Sequence, residues 1–340
     1  MAKGKSIAGR LFCFLLLFIV LSIAALMLVA NYMVNISIGR GAESSGNIQK
    51  TLAVSTDKEQ MALESKAEAL KKELHKQALS WGNEHLSEKV KITSEDNLSL
   101  NGYVFMQVQN SSFEPEHRWA VIIHGYGGRA QSFWDFARVY YEAGFNVLTP
   151  DLRAAGESDG NYIGMGWLDR RDLISWLNEI LRRDESAEIL VHGFSMGAAT
   201  IMMASGEVDF PAAVRICVED SGYSSDWDEL ADKLHQIYKL PSFPLLHAVS
   251  LFTKLKAGYS VKEADCVPQL QKNKTPMLFI HGDADDYNPF RMLDVVYNAA
   301  ACEKKEKLVV HGARHVMSAY VDRNTYWHTV WAFIEANWQS

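Results

Sequence analysis

The spacing of apolar positions divides the chain into three regions. Residues 11–30, LFCFLLLFIVLSIAALMLVA, carry no charge and are almost wholly apolar. As a helix this run is about 30 Å long, enough to cross a bilayer. Over 56–87 the pattern changes. Leu63, Ala67, Leu70, Leu74, Ala78 and Trp81 recur at steps of three and four in an otherwise polar stretch, which predicts one amphipathic helix. Thr56 and Glu59 fit a capping box at its start. From residue 88 onward, short apolar runs alternate with amphipathic ones. VKIT and LSLNGYVFMQV predict two strands around a turn at Asp96-Asn97. WAVII (119–123), FNVLT (145–149), EILVH (188–192), AVRICV (213–218), PMLFI (276–280) and KLVVH (307–311) predict six more. Helices are expected over 131–143, from about Trp167 to Arg183, after the turn at 193–197, and around 322–337.

Such alternation predicts an α/β class: a mostly parallel sheet of about eight strands, flanked by helices on both faces. Ligands in such sheets bind beyond the carboxyl ends of the strands, so the chemistry is expected in loops that follow strands. Residues 221–275 separate two strands by more than an ordinary connection. They hold the amphipathic WDELADKLHQIYKL and a largely apolar stretch broken by Pro241 and Pro244, which predicts a small helical cap over an apolar pocket. The expected layout is an N-terminus at 1–10, a transmembrane anchor at 11–30, a linker at 31–55, and a helix at 56–87 packed on or leading to the body. The α/β domain follows at 88–340, with its cap at 221–275.

Charge fixes the orientation of that layout. Lys3, Lys5 and Arg10 precede the apolar run, whereas residues 31–55 hold only Arg40, Lys50 and Glu43. The denser positive flank predicts a single pass through the cell membrane, N-terminus inside and the α/β domain outside. A cleaved signal peptide is the competing reading, but its apolar core is ordinarily about 7–15 residues, shorter than this run. The net charge of −7 argues against a nucleic-acid partner. Cys13, Cys217, Cys266 and Cys302 have neither zinc-ligand spacing nor the density of a disulfide framework, and the sequence does not say whether Cys266 and Cys302 pair.

Gly193-Phe194-Ser195-Met196-Gly197 is a G-x-S-x-G between a predicted strand and a predicted helix. A serine hydroxyl is a poor nucleophile unless a base takes its proton and a carboxylate orients the base. After PMLFI comes HGDADDYNP, with Asp283, Asp285 and Asp286; after KLVVH comes GARH, with His315. All three loops follow strands, so all lie on one rim. An oxyanion needs two donors: the N–H of Met196 and one from the glycine-rich loop HGYGGRA, assigned to Tyr126. His124, His192, His281 and His311 each end a strand before glycine, but none makes an H-E-x-x-H, so no metal is expected.

HGYGG, DLRAAGESDG, HGFSMG, HGDADDYNP and GARH resemble the successive landmarks of the α/β-hydrolase superfamily, in order. DLR…GESDG followed by YIGMGWLDRRDLISWL is similar to a membrane-anchored bacterial subgroup related to prolyl oligopeptidase-type peptidases and esterases. The resemblance implies a catalytic acid at Asp285, counted from Gly282 and Pro289, and a base at His315, counted from Gly312. Asp220 is the fallback acid. Two departures are visible: Arg153-Ala154-Ala155-Gly156 where Arg-Gly-His-Gly is usual, and Asn288 where Val is usual. The expected function is a cofactor-free serine hydrolase of esters or amides, with catalytic Ser195, Asp285 and His315. Its substrate is expected to be a small acyl ester or a peptide-like molecule. Peptidase, lipase and thioesterase activities stay open, as does a non-catalytic surface binding protein on the same fold.

Overall fold

The computed structural model describes residues 7–42, 57–107 and 117–338. Its core is an eight-stranded sheet: β1 (Glu88–Thr93), β2 (Ser99–Phe105), β3 (Arg118–Ile123), β4 (Asn146–Pro150), β5 (Glu188–Phe194), β6 (Val214–Asp220), β7 (Met277–Gly282) and β8 (Lys305–Val310). The spatial order is β1-β2-β4-β3-β5-β6-β7-β8. The β1–β2 and β2–β4 pairs are antiparallel, and every other pair is parallel. The central strands are buried on both faces, which is why they read as continuous apolar runs rather than alternating ones.

Helices cover both faces. On one lie α4 (Asp169–Arg183), α5 (Met196–Ala204) and α9 (Arg291–Ala299), with Trp176, Met202 and Leu293 packed over Val121, Val191 and Phe279. On the other lie α2 (Lys58–His85), α3 (Trp134–Glu142) and α11 (Arg323–Asn337), with Trp81, Phe136 and Phe333 over Phe105, Ile122 and Leu190. Along each strand, successive side chains serve opposite layers.

The amphipathic helix expected at 56–87 is α2, and it packs on the body. Ala67, Ala78 and Trp81 are buried, and a side chain at Gly82 would meet the Trp134 ring at 2.1 Å. Thr56 lies outside the described residues, and the cap is its neighbour: the Asp57 carboxylate accepts the Glu59 N–H at 2.9 Å. The cap segment 221–275 forms α6 (Asp226–Tyr238), α7 (Leu245–Ala257) and the short α8 (Val267–Leu270), with Pro244 at the N-terminus of α7. The remaining helix, α10 (Ser318–Val321), precedes α11.

The N-terminal region departs from the expected layout. Helix α1 runs from Ile7 to Ile38, well past the apolar run. Among its described residues, most of the large apolar side chains up to Val29 are exposed, whereas Ala30, Val34 and Ile38 are buried against the body. Residues 31–42, expected as linker, are docked. Ile163 N–H donates to Ile38 O at 2.7 Å, Gly39 bridges Tyr162, and the Arg40 guanidinium donates to Ser158 O at 2.6 Å and Gly156 O at 3.1 Å. Once the helix reaches the sheet edge, these polar contacts replace chain freedom. Residues 43–55 of the expected linker lie outside the described residues.

Candidate active site

The register of the parallel strands sets the site. Ile123 stands beside Gly193, Gly193 beside Glu219, Asp220 beside Ile280, and Gly282 beside Val310. The carboxyl ends of five strands are therefore level, and the loops after β3, β5, β7 and β8 rise from one rim.

Ser195 sits between β5 and α5 with φ 55° and ψ −115°, a conformation rarely taken by a residue with a side chain. The turn is tight enough to exclude any bulk around it. A Cβ on Gly193 would meet Gly197 O at 2.4 Å, and one on Gly197 would meet Ile123 O at 2.3 Å. The turn is tied to the end of β6 by Ser195 N–H donating to Asp220 O at 2.8 Å, so the serine's own amide is occupied. Met196 is the first residue of α5, where helix N–H groups lack intrahelical partners. Tyr126 lies in the loop after β3. Its preceding residue, Gly125, approaches Ser195 closely: a Cβ there would stand 3.1 Å from the Ser195 Cβ.

The three remote segments meet. Ser195 Oγ lies 2.9 Å from His315 Nε2, and His315 Nδ1 lies 2.8 Å from Asp285 Oδ2. The other Asp285 oxygen accepts the N–H groups of Tyr287 and Asn288, each at 2.9 Å. The neighbouring aspartates serve elsewhere: Asp283 accepts from His311 and Gly312, and Asp286 from Arg314. Asp220, the fallback acid, accepts Tyr326 Oη–H at 2.8 Å and Ser221 Oγ–H at 2.8 Å. Tyr326 Oη in turn meets His192 Nε2, and Tyr140 Oη meets His192 Nδ1, each at 3.0 Å, so Asp220 ends a buried chain beneath the rim. Burial pushes the Asp220 carboxyl up to about 6 and the His192 imidazole down to about 3.

Asp285 is held otherwise. Burial works to raise its carboxyl, but the charges and hydrogen bonds of His315 and His281 outweigh it, and the group stays well below the carboxylate range. His281 is the residue that sequence reasoning passed over, as one of four histidines before glycine. It is fully buried, its Nε2 lies 3.3 Å from Asp285 Oδ2, and it donates to Asn288 O at 2.9 Å. Burial works to lower its imidazole; the hydrogen bond and charge of Asp285 override this and push it up to about 9. The available signal was the four-residue step from His281 to Asp285 across a tight turn. The other three of these histidines are each engaged separately: His124 with Gly125 O and Leu152 N–H, His192 with the two tyrosines, His311 with Asp283. Among the described residues no group of three or more His, Cys, Asp or Glu side chains converges as metal ligands do.

The raised His281 value carries a stability prediction. A folded value above the ordinary 6.5 means that the pair with Asp285 contributes fully below about pH 6.5 and is lost as pH rises through about 9. Thermal unfolding of the full-length protein is expected to show a fall in Tm between neutral pH and about pH 10. His281→Gln is expected to start lower and fall less; equal slopes for the two proteins would remove the pair from the account.

The two departures from the usual motifs find places. Ala154 takes φ 59°, the left-handed region that glycine prefers, and Arg153 is buried between Asp172 and Asp96. Asn288 touches one of the three residues: its N–H donates to Asp285, and its side-chain amide donates to Ser221 O at 2.7 Å, tying the Asp285 loop to the end of β6.

Known proteins share this fold. The sequence profile of the Alpha/beta hydrolase family matches residues 120–326, more than half of the chain. The uncharacterized protein YqkD of Bacillus subtilis is 29% identical over 216 residues, 63% of this chain and 70% of that protein. The uncharacterized protein YfhR of Escherichia coli K12 is 27% identical over 244 residues, 70% of this chain and 76% of that one. Among solved structures, the Pyrococcus furiosus esterase Pf2001 superposes with a TM-score of 0.58 at 25% identity, covering 74% of this chain and 91% of the esterase. The Pyrococcus horikoshii acylaminoacyl peptidase superposes with a TM-score of 0.54 at 14% identity, over 73% of this chain and 41% of the peptidase, a likeness of fold.

Proposed function

The chain belongs to the alpha/beta hydrolase family, and from that premise we propose that it is a serine hydrolase of carboxylic esters, with amides as the second substrate class. The observation that carries the reading is the unbroken row Ser195 Oγ–His315–Asp285, with links of 2.9 and 2.8 Å. His315 takes the hydroxyl proton as Ser195 Oγ attacks the acyl carbon. The N–H groups of Met196 and Tyr126 hold the oxyanion at the N-terminus of α5. Asp285, kept ionised by its partners, stabilises the imidazolium. The acyl–oxygen bond then breaks, and His315 gives its proton to the departing alcohol. Water, deprotonated by the same imidazole, cleaves the acyl-enzyme to the acid and frees Ser195. None of these steps uses a cofactor.

The placement proposed is a single-pass anchor formed by α1, with the body outside the cytoplasmic membrane. The three cations before the apolar run support the orientation. Burial of Ala30, Val34 and Ile38 in one helix with the apolar run supports retention of that run rather than its removal.

The assignment of the acid is tested by Asp285→Asn against Asp220→Asn on an activated ester. Asp285→Asn is expected to cost about 10⁴ in kcat. Asp220→Asn is expected to cost far less, because the imidazole keeps its partner. The reverse order would give the role to Asp220. A panel of acyl esters and amides, read beside fluorophosphonate labelling, ranks the substrate classes; silence in both assays would favour the non-catalytic binding reading.

A further inference from the structure

Two cavities share Tyr287 as a wall, and its ring is stacked on the His315 imidazole at 4.7 Å between centroids. One, of about 260 Å³, lies between α2 and the His315 loop and has the charged side chains Glu68, Lys71, Asp286 and Arg314 in its walls. The other, of about 240 Å³, is mainly apolar and lies under the cap. Helix α6 supplies Leu234 and Ile237 and helix α7 supplies Val249, but a third wall comes from α1, through Tyr32, Met33 and Ile36.

We propose that the last two turns of α1 form part of the substrate site, and that the pocket they wall takes the acyl chain of a single-chain lipid ester drawn from the bilayer. This rests on the serine-hydrolase reading above and names its substrate class.

Four observations carry it. First, α1 is bonded to the reaction centre and not merely laid against it. Tyr126 Oη–H donates to Ser37 O at 2.7 Å, and Tyr126 is the residue whose N–H is assigned to the oxyanion. Lys256 Nζ–H donates to Asn35 Oδ1 at 2.7 Å, closing α7 onto the same turn. Second, the pocket lies where the helix leaves the body: Tyr32 lines it, while most large apolar side chains of α1 from Ile7 to Val29 are exposed. Third, the cap beside α1 exposes Phe243 (71%), Leu251 (48%) and Leu255 (70%), with Lys256 and Lys254, the latter paired with Glu263 at 3.0 Å, in the last turn of α7. Apolar side chains rimmed by cations next to an apolar helix suit the headgroup region of a lipid surface. Fourth, the lining suits hydrocarbon. The charged pair in its wall, Glu229 and Lys233, is buried at 3.7 Å with Lys233 also donating to Tyr287 O, so those charges are already matched. A peptide in the same space would strand its main-chain amides, whereas an alkyl chain has none to satisfy. The departing alcohol falls on the His315 side, where the imidazole protonates it, next to the cavity with Lys71 and Arg314 in its walls.

The test uses the full-length protein in phosphatidylcholine nanodiscs with p-nitrophenyl butyrate, octanoate and dodecanoate, and with a long-chain monoacylglycerol. Each methylene added within the pocket is expected to raise kcat/KM about fourfold, the effect of burying one methylene. The monoacylglycerol is expected to be cleaved to fatty acid and glycerol. Ile36→Trp on α1 and Val249→Trp on α7 are each expected to lower the octanoate-to-butyrate ratio at least tenfold, with fluorophosphonate labelling at Ser195 reporting that the fold survives. A wild-type protein that labels and cleaves butyrate but gains nothing with chain length would overturn the proposal and spare the serine-hydrolase reading. So would an unchanged ratio in both variants. Absence of both labelling and ester turnover would overturn that reading, and this proposal with it.

Discussion

Ser195→Ala is expected to lower the kcat for an activated ester by roughly 10⁶-fold, to the small remainder that oxyanion donors and substrate binding support without a nucleophile. The size follows from how the residue is held. Its φ of 55° and the glycine contacts at 193 and 197 fix one position for the hydroxyl, 2.9 Å from the imidazole and at the start of α5. Alanine keeps the backbone and removes only the oxygen that forms the acyl bond. Folding should be little affected, because alanine keeps the same backbone conformation and only the hydrogen bond to His315 is lost. Steady-state kinetics beside a thermal melt separate the two effects: a large loss of kcat with an unchanged melt is the expected pair.

His315→Ala is expected to cost about as much, roughly 10⁶-fold, and to add almost nothing to Ser195→Ala in the double variant. In the proposed mechanism nucleophile and base act as one unit. Without the imidazole, the Ser195 proton has nowhere to go at neutral pH, and Asp285 on its own does not reach the hydroxyl. What survives in the single variant should rise with pH as hydroxide takes over the base's part. A double variant slower than either single by a further large factor would mean that the two residues act independently, against the geometry. The comparison needs only three kcat values measured under one condition.

Much of this arrangement was legible before any coordinates. Central strands buried on both faces write themselves as apolar runs, and the more exposed outer strands β1 and β8 still showed as the short runs VKIT and KLVVH. The rule that loops after parallel strands carry the chemistry picked out the loops of Ser195, His315 and the three aspartates, and the family resemblance chose Asp285 among Asp283, Asp285 and Asp286. The landmark glycines were legible because backbone passes backbone within 3 Å of where a side chain would sit. What was not legible had physical causes. An apolar helix reads the same whether lipid or protein covers it, so the change at Ala30 from exposed stem to buried turn left no mark in the composition. Arg40 looked like a charge in a linker, because its partners are main-chain carbonyls at 156, 158 and 160, which have no side-chain signature. His281 was hidden among similar His-Gly pairs until its distance from Asp285 distinguished it. Asp57 rather than Thr56 ends α2, since capping chemistry tolerates either residue and only the turn geometry selects one.

The most direct measurement is the intact mass of the full-length protein after exposure to a fluorophosphonate, followed by peptide mapping, for wild type and Ser195→Ala. The account predicts one adduct on wild type, carried by the peptide that contains Ser195, and none on the variant. A wild-type protein that stays unmodified, or a variant modified to the same extent, would contradict it.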